Sequence, residues 1–262
     1  MRRYFIWIQY FGKNFSGWQT QPNAPTVQEA VEKALRWTFN SNIRVNGCGR
    51  TDAGVHARAY ALHADLPEAI NINIIQRLNR ILNPDINVIG FQAVHAGLHA
   101  RFSATKRTYK YLIDLKTPLF TQDAVFEYPY SPEKLDYNRL PQVARLLLDY
   151  DSYFPFCKSK SDAHHYRCKL YVSEWERIKD RYLIYTITAN RFLRGMVRLI
   201  VGTHLQVAEG KINIEDVRYA LDNQKRLNRA YSIPPHGLYL YEVKYEHSMI
   251  KHPANDALFF PI

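Results

Sequence analysis

The sequence predicts an α/β (α+β) protein made of two halves that repeat one order of elements, β-α-β-β-α-β. Two observations predict it. Segments with helical apolar spacing alternate with short strand-like runs, and the order of these segments is the same in both halves of the chain. With 262 residues, 47% of them apolar, the chain is long enough for two such cores. We therefore expect an N-terminal half at residues 1–105 and a C-terminal half at residues 106–262.

The first half opens with a strand-like run, "YFIWIQY", at residues 4–10. The stretch "TVQEAVEKALRWTF" predicts a helix because its apolar and small residues share one face, and Thr26 followed by Glu29 is a capping-box pattern at its start. The other elements expected in this half are strands at 42–48 and 55–66, a helix at 73–82 and a strand at 86–94. The stretch "GRTDAG" would then join two strands.

The second half repeats this order, starting with the strand "RTYKYLIDL" and the helix "NRLPQVARLLLDY". The elements expected after them are strands at 168–178 and 181–189, an apolar helix at 192–207, a short helix "NIEDVRYALDN" and a strand at 237–246. Two such units can lay their sheets edge to edge. The crevice between the halves would then be a natural central, basic binding cleft.

The charge of the chain predicts its class of partner. Lysine and arginine number 35 against 24 acidic residues, which gives a formal net charge of +11. Such a balance favours a polyanion, either nucleic acid or an anionic membrane face. No apolar run has the length of a membrane span, and the start "MRRYFIWIQYFG" has no signal-peptide cleavage site. We therefore expect a cytoplasmic protein with no membrane partner.

One glycine-rich stretch, "NGCGRTDAGVHARA" at residues 46–59, carries a single acid, Asp52. Its glycines, Gly47, Gly49 and Gly54, permit unusual backbone angles and close approach, so a shaped loop is expected around Asp52. Glycine-rich turns that contain aspartate are also common as plain structural turns. The spacing alone leaves both interpretations open.

Two clusters of cations accompany this loop. In "NRFLRGMVRLIVG", Arg191, Arg194 and Arg198 have the spacing of one side of a helix, and Gly195 within it suggests a close approach to the backbone. A basic helix face that only contacts solvent is the alternative.

The second cluster lies in "HARFSATKRTYKYLIDL", where Tyr109 and Tyr111 share one face of a strand. Cations crowd its start, namely Arg101, Lys106, Arg107 and Lys110. This pattern suits a base stacked on an aromatic ring with phosphates held nearby, although tyrosines are also ordinary core residues.

Metal and cofactor chemistry lacks its usual residues. His95 and His99 are spaced by four, but the glutamate of an HExxH site is missing, and the three cysteines show no CxxC spacing. The sequence also contains no nucleotide-binding glycine loop. We expect no metal and no cofactor.

The motifs "GRTDAGVHA", "HARFSAT" followed by "YKY", "MVRLIVG" and "GLYL" together closely resemble the tRNA pseudouridine synthase A family. The opening "YFGKNFSGWQTQPNAPTVQEAVEKAL" is also similar to that family's N-terminal signature. The resemblance runs from about residue 8 to residue 245. It implies mostly antiparallel sheet in both halves, and conversion of uridines 38 to 40 in the anticodon stem-loop of tRNA to pseudouridine. A homodimer without metal or cofactor is implied as well.

The resemblance also implies roles for individual residues. Asp52 matches the catalytic aspartate, Tyr109 the tyrosine that packs on the target base, and Arg198 the arginine near the aspartate. Arg50, in the same loop as Asp52, is expected to bind substrate. The expected RNA contacts are Arg101, Lys106, Arg107, Arg191 and Arg194.

The sequence departs from the family pattern at two places. Phe11 stands where the family usually has aspartate, and "LRG" at 193–195 replaces a stretch that commonly contains histidine. These departures concern RNA contacts and target choice rather than the residues matched to catalysis.

A lone carboxylate suits this reaction, which moves the glycosidic bond of uridine from N1 to C5 without oxidation or consumption of water. A neighbouring guanidinium such as Arg198 would favour its ionised form. The residues leave open whether Asp52 adds to uracil C6, attacks C1′ or removes a sugar proton. Two other classes would also fit a basic, tyrosine-rich chain, a non-catalytic RNA-binding protein and a metal-dependent nuclease acting on tRNA.

Overall fold

The computed structural model describes residues 1–67, 70–117, 119–159 and 164–246. These residues form two compact units. The first unit contains Met1–Arg107 together with residues 239–246, and the second contains Thr108–Leu238. The sequence predicts a division between residues 105 and 106, two residues before the boundary after Arg107. It also predicts the strand at 237–246 as part of the second half, whereas residues 239–246 belong to the first unit.

The secondary structure follows the predicted order with few additions. The strands of the described residues are β1 (Arg2–Tyr10), β2 (Asn46–Gly47), β3 (His56–Leu66), β4 (Ile86–Ala93), β5 (Ala104–Asp114), β6 (Phe126–Glu127), β7 (Leu170–Ile178), β8 (Tyr182–Ala189) and β9 (Leu238–Tyr245). The α-helices are α1 (Val27–Phe39), α2 (Ile72–Ile81), α3 (Arg139–Leu146), α4 (Met196–Ala208) and α5 (Ile214–Asp222). The predicted α/β class with mostly antiparallel strand pairing is confirmed.

In the first unit, β1 lies between β3 and β4 and is antiparallel to both. The side chains from Phe5 to Ile8 are all at most 1% exposed. A central strand with both faces covered has no reason to alternate apolar and polar residues, which explains the continuous apolar run in β1. β9 pairs in parallel with the start of β3, so the last described strand completes the sheet of the first unit.

The strand predicted at residues 42–48 is wrong for most of its length, because only Asn46–Gly47 pair as a strand. The preceding backbone is bonded to helix α1 instead. The N–H of Val45 donates to Glu32 Oε1 at 3.1 Å, and its carbonyl accepts from Gln28 Nε2 at 3.3 Å. These polar side chains, which the helix holds inward, replace the ladder partners of a strand.

The predicted start of helix α4 at residue 192 is also wrong. The helix begins at Met196, and its N-cap Gly195 has a φ of +69°, a left-handed conformation that cannot occur inside a right-handed helix. Arg191 and Arg194 therefore precede the helix, and only Arg198 lies on it. The three arginines do not share one helix side. The conformation of the backbone explains the glycine at this position.

In the second unit, β8 lies between β5 and β7, and β7 and β8 are antiparallel. The short strand β6, which the sequence did not predict, pairs in parallel with the end of β5. Helix α3 packs on β7 and on α4. Nearly every residue of α4 is buried, so this helix forms the centre of the unit's core and fixes the position of Arg198 in its first turn.

Candidate active site

The loop that carries Asp52 joins β2 to β3, as predicted. Asn46 pairs with His63, and the N–H of Cys48 donates to the carbonyl of Ala61 at 2.8 Å. Both ends of the loop are thus held on the same strand, β3. The segment from Gly49 to Val55 must therefore leave this strand and return to it, which gives the loop a defined path.

A second segment, residues 12–18, holds the middle of the loop. The N–H of Trp18 donates to the carbonyl of Thr51 at 3.3 Å, and the N–H of Gly54 donates to the carbonyl of Phe15 at 3.2 Å. Gly17 has a φ of +95°, and a Cβ at this position would stand 2.5 Å from the Thr51 oxygen. The backbone on both sides of Asp52 is therefore fixed by hydrogen bonds and by close packing against a glycine.

Within the loop, neighbouring side chains have opposite environments. Thr51 is buried, and its hydroxyl shares a 2.9 Å hydrogen bond with the hydroxyl of Tyr10. Asp52 is half-buried, and its carbonyl accepts from the N–H of Val55 at 3.2 Å. Anchoring the threonine while leaving the aspartate partly accessible is what a reacting carboxylate requires.

Arg107 supports the entrance of the loop from the first residues of β5. Its Nη2 and Nε donate to the carbonyl of Cys48 at 2.8 Å and 3.2 Å, and Nη2 also donates to the carbonyl of Arg101 at 2.7 Å. The hydroxyl of Tyr60 donates to the carbonyl of Gly49. Arg50 itself is exposed. The geometry thus gives Arg107 a positioning role on the backbone, a role that the sequence did not reveal.

The departure at Phe11 has a structural counterpart. The ring of Phe11 stacks on the imidazole of His56, with centroids 4.3 Å apart and planes 21° from parallel. His56 Nδ1 accepts a 2.8 Å hydrogen bond from the N–H of Gly12. Phe11 and His56 therefore hold the start of the segment that packs on the Asp52 loop. The pair Gly12 and Gly17 in "FGKNFSGW" was the available sequence signal for this contact.

In the second unit, Tyr109 and Tyr111 point to the same side of β5 but differ in exposure. Tyr109 is half-buried, and its ring meets that of Phe192 edge-on at 5.0 Å. Tyr111 is fully buried and donates to the carbonyl of Pro234 at 2.8 Å. Burial raises the pKa of Tyr111 well above its usual value. Tyr109 is therefore the member of the pair with surface left for a ligand.

Arg198 is fixed by the segment that follows helix α5. Its Nε donates to the carbonyl of Ile233 at 2.7 Å, and the N–H of Ile233 donates back to the Arg198 carbonyl at 3.3 Å. The guanidinium lies close enough to Tyr111 to oppose part of the rise in the tyrosine pKa that burial causes. Burial also lowers the pKa of His236, and the charge of Arg198 lowers it further. Arg198, Tyr111 and His236 thus form one neighbourhood in the second unit.

The other predicted RNA contacts are distributed over both units. Arg101 is exposed and Lys106 is half-buried in the first unit. In the second unit, Arg191 Nη1 lies 2.8 Å from His165 Nε2, and Arg194 is exposed while its carbonyl accepts from the N–H of Lys158 at 3.0 Å.

No group of three or more metal-ligating side chains occurs within the described ranges. His95 Nδ1 accepts from the N–H of Gly97, and His99 packs its ring against His63 at 4.5 Å. No helix in the same ranges is long and apolar enough to cross a membrane. In the first unit, the loop after β2 presents the half-buried carboxylate of Asp52.

The chain is similar to known proteins over most of its length. Residues 6–103 and 148–246 match the tRNA pseudouridine synthase family. The tRNA pseudouridine synthase A of Parabacteroides distasonis is 39% identical over 258 residues, which cover 98% of this chain and all of that protein. The protein of the same name from Bacteroides thetaiotaomicron is 40% identical over 94% of this chain and 91% of its own. A solved structure, the archaeal box H/ACA sRNP Nop10–Cbf5 complex, matches with a TM-score of 0.32 at 12% identity, over 78% of this chain and 43% of that one.

Proposed function

Since the chain belongs to the tRNA pseudouridine synthase family and is an enzyme that isomerises uridine in tRNA, we propose that Asp52 is its catalytic carboxylate and that its targets are uridines 38 to 40 of the anticodon stem-loop. One observation carries the proposal. Asp52 is partly accessible in a loop whose backbone is held from both sides by β3 and by residues 12–18. Such a fixed path suits a group that must meet a reacting atom in one geometry.

The isomerisation of uridine needs few chemical groups. The bond from N1 to C1′ breaks, the uracil turns over, and a bond from C5 to C1′ forms, while N1 gains a proton and C5 loses one. The product has the mass of the substrate, so neither an oxidant nor water is consumed. A single carboxylate can serve as nucleophile or as proton acceptor at this centre.

We assign the other residues to binding and alignment. A uridine within a stem must leave the base stack before it can react, and Tyr109 offers the extruded base an aromatic surface. Arg198, fixed by Ile233, serves the reacting uridine together with Asp52, as the resemblance implies. Arg50, Arg101, Lys106, Arg191 and Arg194 contact RNA phosphates. Arg107 acts on the protein backbone through its bonds to Cys48.

The charge of the chain supports the choice of substrate. A net charge of +11 favours a polyanion, because neutralising phosphates releases counterions and adds to the affinity for nucleic acid. We propose that the enzyme acts as a homodimer in the cytoplasm, with the anticodon arm in a basic cleft of one subunit and other parts of the tRNA on its partner. Light scattering of the active enzyme at working concentration tests the dimer, and a fully active monomer would contradict it.

The decisive experiment maps pseudouridine in tRNA after incubation with the protein. Chemical labelling specific for pseudouridine, followed by primer extension, should stop at positions 38 to 40 and nowhere else. Asp52→Asn is the matched control and should give no stops. Label at other positions would refute the proposed target, cleaved RNA would support a nuclease, and bound but unmodified tRNA would support a non-catalytic binding protein.

A further inference from the structure

A cavity of about 240 Å³ opens in the first unit beside the Asp52 loop. Its described lining includes Gly49 and Arg50 but not Asp52. Because successive Cα atoms are about 3.8 Å apart, the Cα of Arg50 lies within about 8 Å of that of Asp52. We call this cavity the Phe102 pocket, and the lining residues that matter here are Trp18, Gln19, Asn46, Arg50, Arg101 and Phe102. It adjoins the proposed catalytic position without containing it.

The pocket has an aromatic rim. Phe102 is 75% exposed, and its ring meets the imidazole of His99 at 4.4 Å, with the Arg101 guanidinium 5.6 Å from its centroid. Trp18, another lining residue, is buried and stacks on Tyr60 at 4.2 Å. An exposed ring steadied by an imidazole and a cation is suited to stacking on an unpaired base.

The pocket also has unused amide groups. Gln19 Nε2 donates to Gln28 Oε1 at 3.0 Å, which orients the Gln19 side chain. The Gln19 oxygen and the side-chain amide of Asn46 make no hydrogen bond to any residue in the described part of the chain. Together these groups provide donors and acceptors, as the edge of a nucleobase requires.

Two cations complete the pocket. The guanidinium groups of Arg50 and Arg101 form no ion pair with any carboxylate among the described residues. Guanidinium groups pair well with phosphate oxygens. The volume of the pocket is below the range of about 300 to 1,000 Å³ that is usual for sites of drug-sized ligands. A single nucleotide, rather than a longer stretch of strand, matches the size and the chemistry.

We propose that the Phe102 pocket binds one unpaired nucleotide of the substrate tRNA that neighbours the reacting uridine, with its base on Phe102 and its phosphate toward Arg50 and Arg101. This inference rests on the proposed function, because Asp52 marks the position of the reacting uridine. Binding of this neighbouring nucleotide determines which nucleotide of the RNA strand lies at the Asp52 loop. The pocket therefore contributes to the choice of target.

The test measures single-turnover pseudouridine formation with enzyme in excess. The substrates are one intact tRNA and a set of the same tRNA in which each nucleotide next to the target lacks its base in turn. The variants are Phe102→Ala, Phe102→Tyr and a control, Phe120→Ala, which removes a 98% exposed phenylalanine that does not line the pocket.

On intact tRNA, Phe102→Ala should lower the apparent second-order rate by about tenfold to a hundredfold, the usual effect of losing one base–aromatic stack. Phe102→Tyr should restore the rate, and Phe120→Ala should match the wild type. One abasic tRNA should slow the wild-type enzyme to a similar extent, and on that RNA Phe102→Ala should cause no further loss.

Two results would overturn the proposal, namely equal rates for Phe102→Ala and Phe120→Ala on intact tRNA, or a Phe102→Ala defect of the same size on every abasic RNA. Failure of the proposed function looks different. In that case the wild-type protein forms no pseudouridine in intact tRNA, or Asp52→Asn retains its activity. Parallel reactions with these two proteins on intact tRNA therefore separate the two hypotheses.

Discussion

Arg107 donates two hydrogen bonds to the backbone carbonyl of Cys48, at 2.8 Å and 3.2 Å, at the entrance of the loop that carries Asp52. The same guanidinium also bonds the carbonyl of Arg101. A cation that a basic sequence pattern assigns to RNA thus spends much of its donor capacity on the protein itself.

Arg107→Ala should destabilise the protein by about 1 to 3 kcal/mol, because the carbonyl of Cys48, a buried residue, loses a charged donor. Its rate at saturating tRNA should also fall. Arg101→Ala is the matched change at an exposed side chain. It should change the free energy of unfolding by less than about 0.5 kcal/mol and lower the salt slope of tRNA binding by about one. Chemical denaturation and filter binding at several salt concentrations measure both. A stable Arg107→Ala with a smaller salt slope, together with a destabilised Arg101→Ala, would contradict the positioning role of Arg107.

Asp52→Asn should abolish pseudouridine formation in a single turnover while tRNA binding persists. The amide keeps the size of the side chain but loses the negative charge, so affinity should stay equal or rise slightly. Filter binding alongside the single-turnover assay measures the two properties. Substantial activity in a folded variant would return the loop to the interpretation of a plain structural turn.

Gly17→Ala should disturb the loop that carries Asp52, although Gly17 lies outside that loop. A Cβ at Gly17 would stand 2.5 Å from the Thr51 oxygen and 3.2 Å from the Asp52 carbonyl carbon, so the loop backbone must move. We expect at least a tenfold loss of rate at saturation, about 1.4 kcal/mol in the transition state.

Gly210→Ala is the control for this change. Gly210 also has a positive φ, of +68°, but its Cβ would meet only Arg139 Nη1 at 3.8 Å. It should cost about 1 to 2 kcal/mol of stability with no change in rate. Equal rates for the two variants would show that the contact at Gly17 does not matter for catalysis.

Arg198→Ala and Arg191→Ala should separate alignment from phosphate binding. Arg198 is fixed by the carbonyl of Ile233 in the core of the second unit, so its loss should reduce the rate at saturating tRNA. Arg191 lies outside the helix beside His165, and its loss should weaken binding with a smaller salt slope but preserve the saturated rate. A pure binding defect in Arg198→Ala would remove it from the reacting site.

The stability of the second unit should depend on acid through His204. Burial lowers the pKa of His204 to about 3, and Trp175 Nε1 donates to its Nδ1 at 3.0 Å. The unfolded chain takes up this proton near pH 6.5, whereas the folded state resists it down to about pH 3. Stability is therefore full above about pH 6.5 and falls as the pH drops through this window, by up to about 1.4 kcal/mol per pH unit for this group.

His204→Gln keeps an acceptor for Trp175 and removes the titration. Its free energy of unfolding should depend less steeply on pH between 6.5 and 4 than that of the wild type. Urea denaturation at several pH values measures the difference, and repetition at high salt controls for the general charge of the protein. Parallel slopes for the two proteins would show that another group causes the acid sensitivity.

Local patterns predicted local structure well. The hydroxyl of Thr26 accepts from the N–H of Glu29, as the capping pattern predicts for the start of α1. The loop between β2 and β3 also follows from the two glycine-flanked strands. One prediction failed where the hydrogen-bond partners are distant in the sequence. Residues 42–45 were predicted as part of a strand, but the backbone of Val45 bonds to Glu32 and Gln28 on a helix.

The candidate site shows the same limit. Asp52 stands out by its loop motif. The glycines of "FGKNFSGW" indicate a close approach, but they do not show that the distant Thr51 is the residue that Gly17 contacts. The start of α4 was missed because a glycine within an apolar run fits a helix as well as a left-handed cap. Arg107 and Arg101 look alike in sequence, and only their hydrogen bonds separate a backbone clamp from an exposed cation.

The return of β9 to the first unit has a consequence for biosynthesis. In the order of translation, Thr108–Leu238 stands as an insertion within the first unit, because the partner of the start of β3 lies in β9. The ribosome must therefore make the whole second unit before the start of β3, at His56 and Ala57, can pair with β9. The nascent first unit therefore has an unpaired strand edge until β9 is made, and a messenger truncated before Tyr239 yields a chain that retains Asp52 but lacks the strand that pairs with His56 and Ala57.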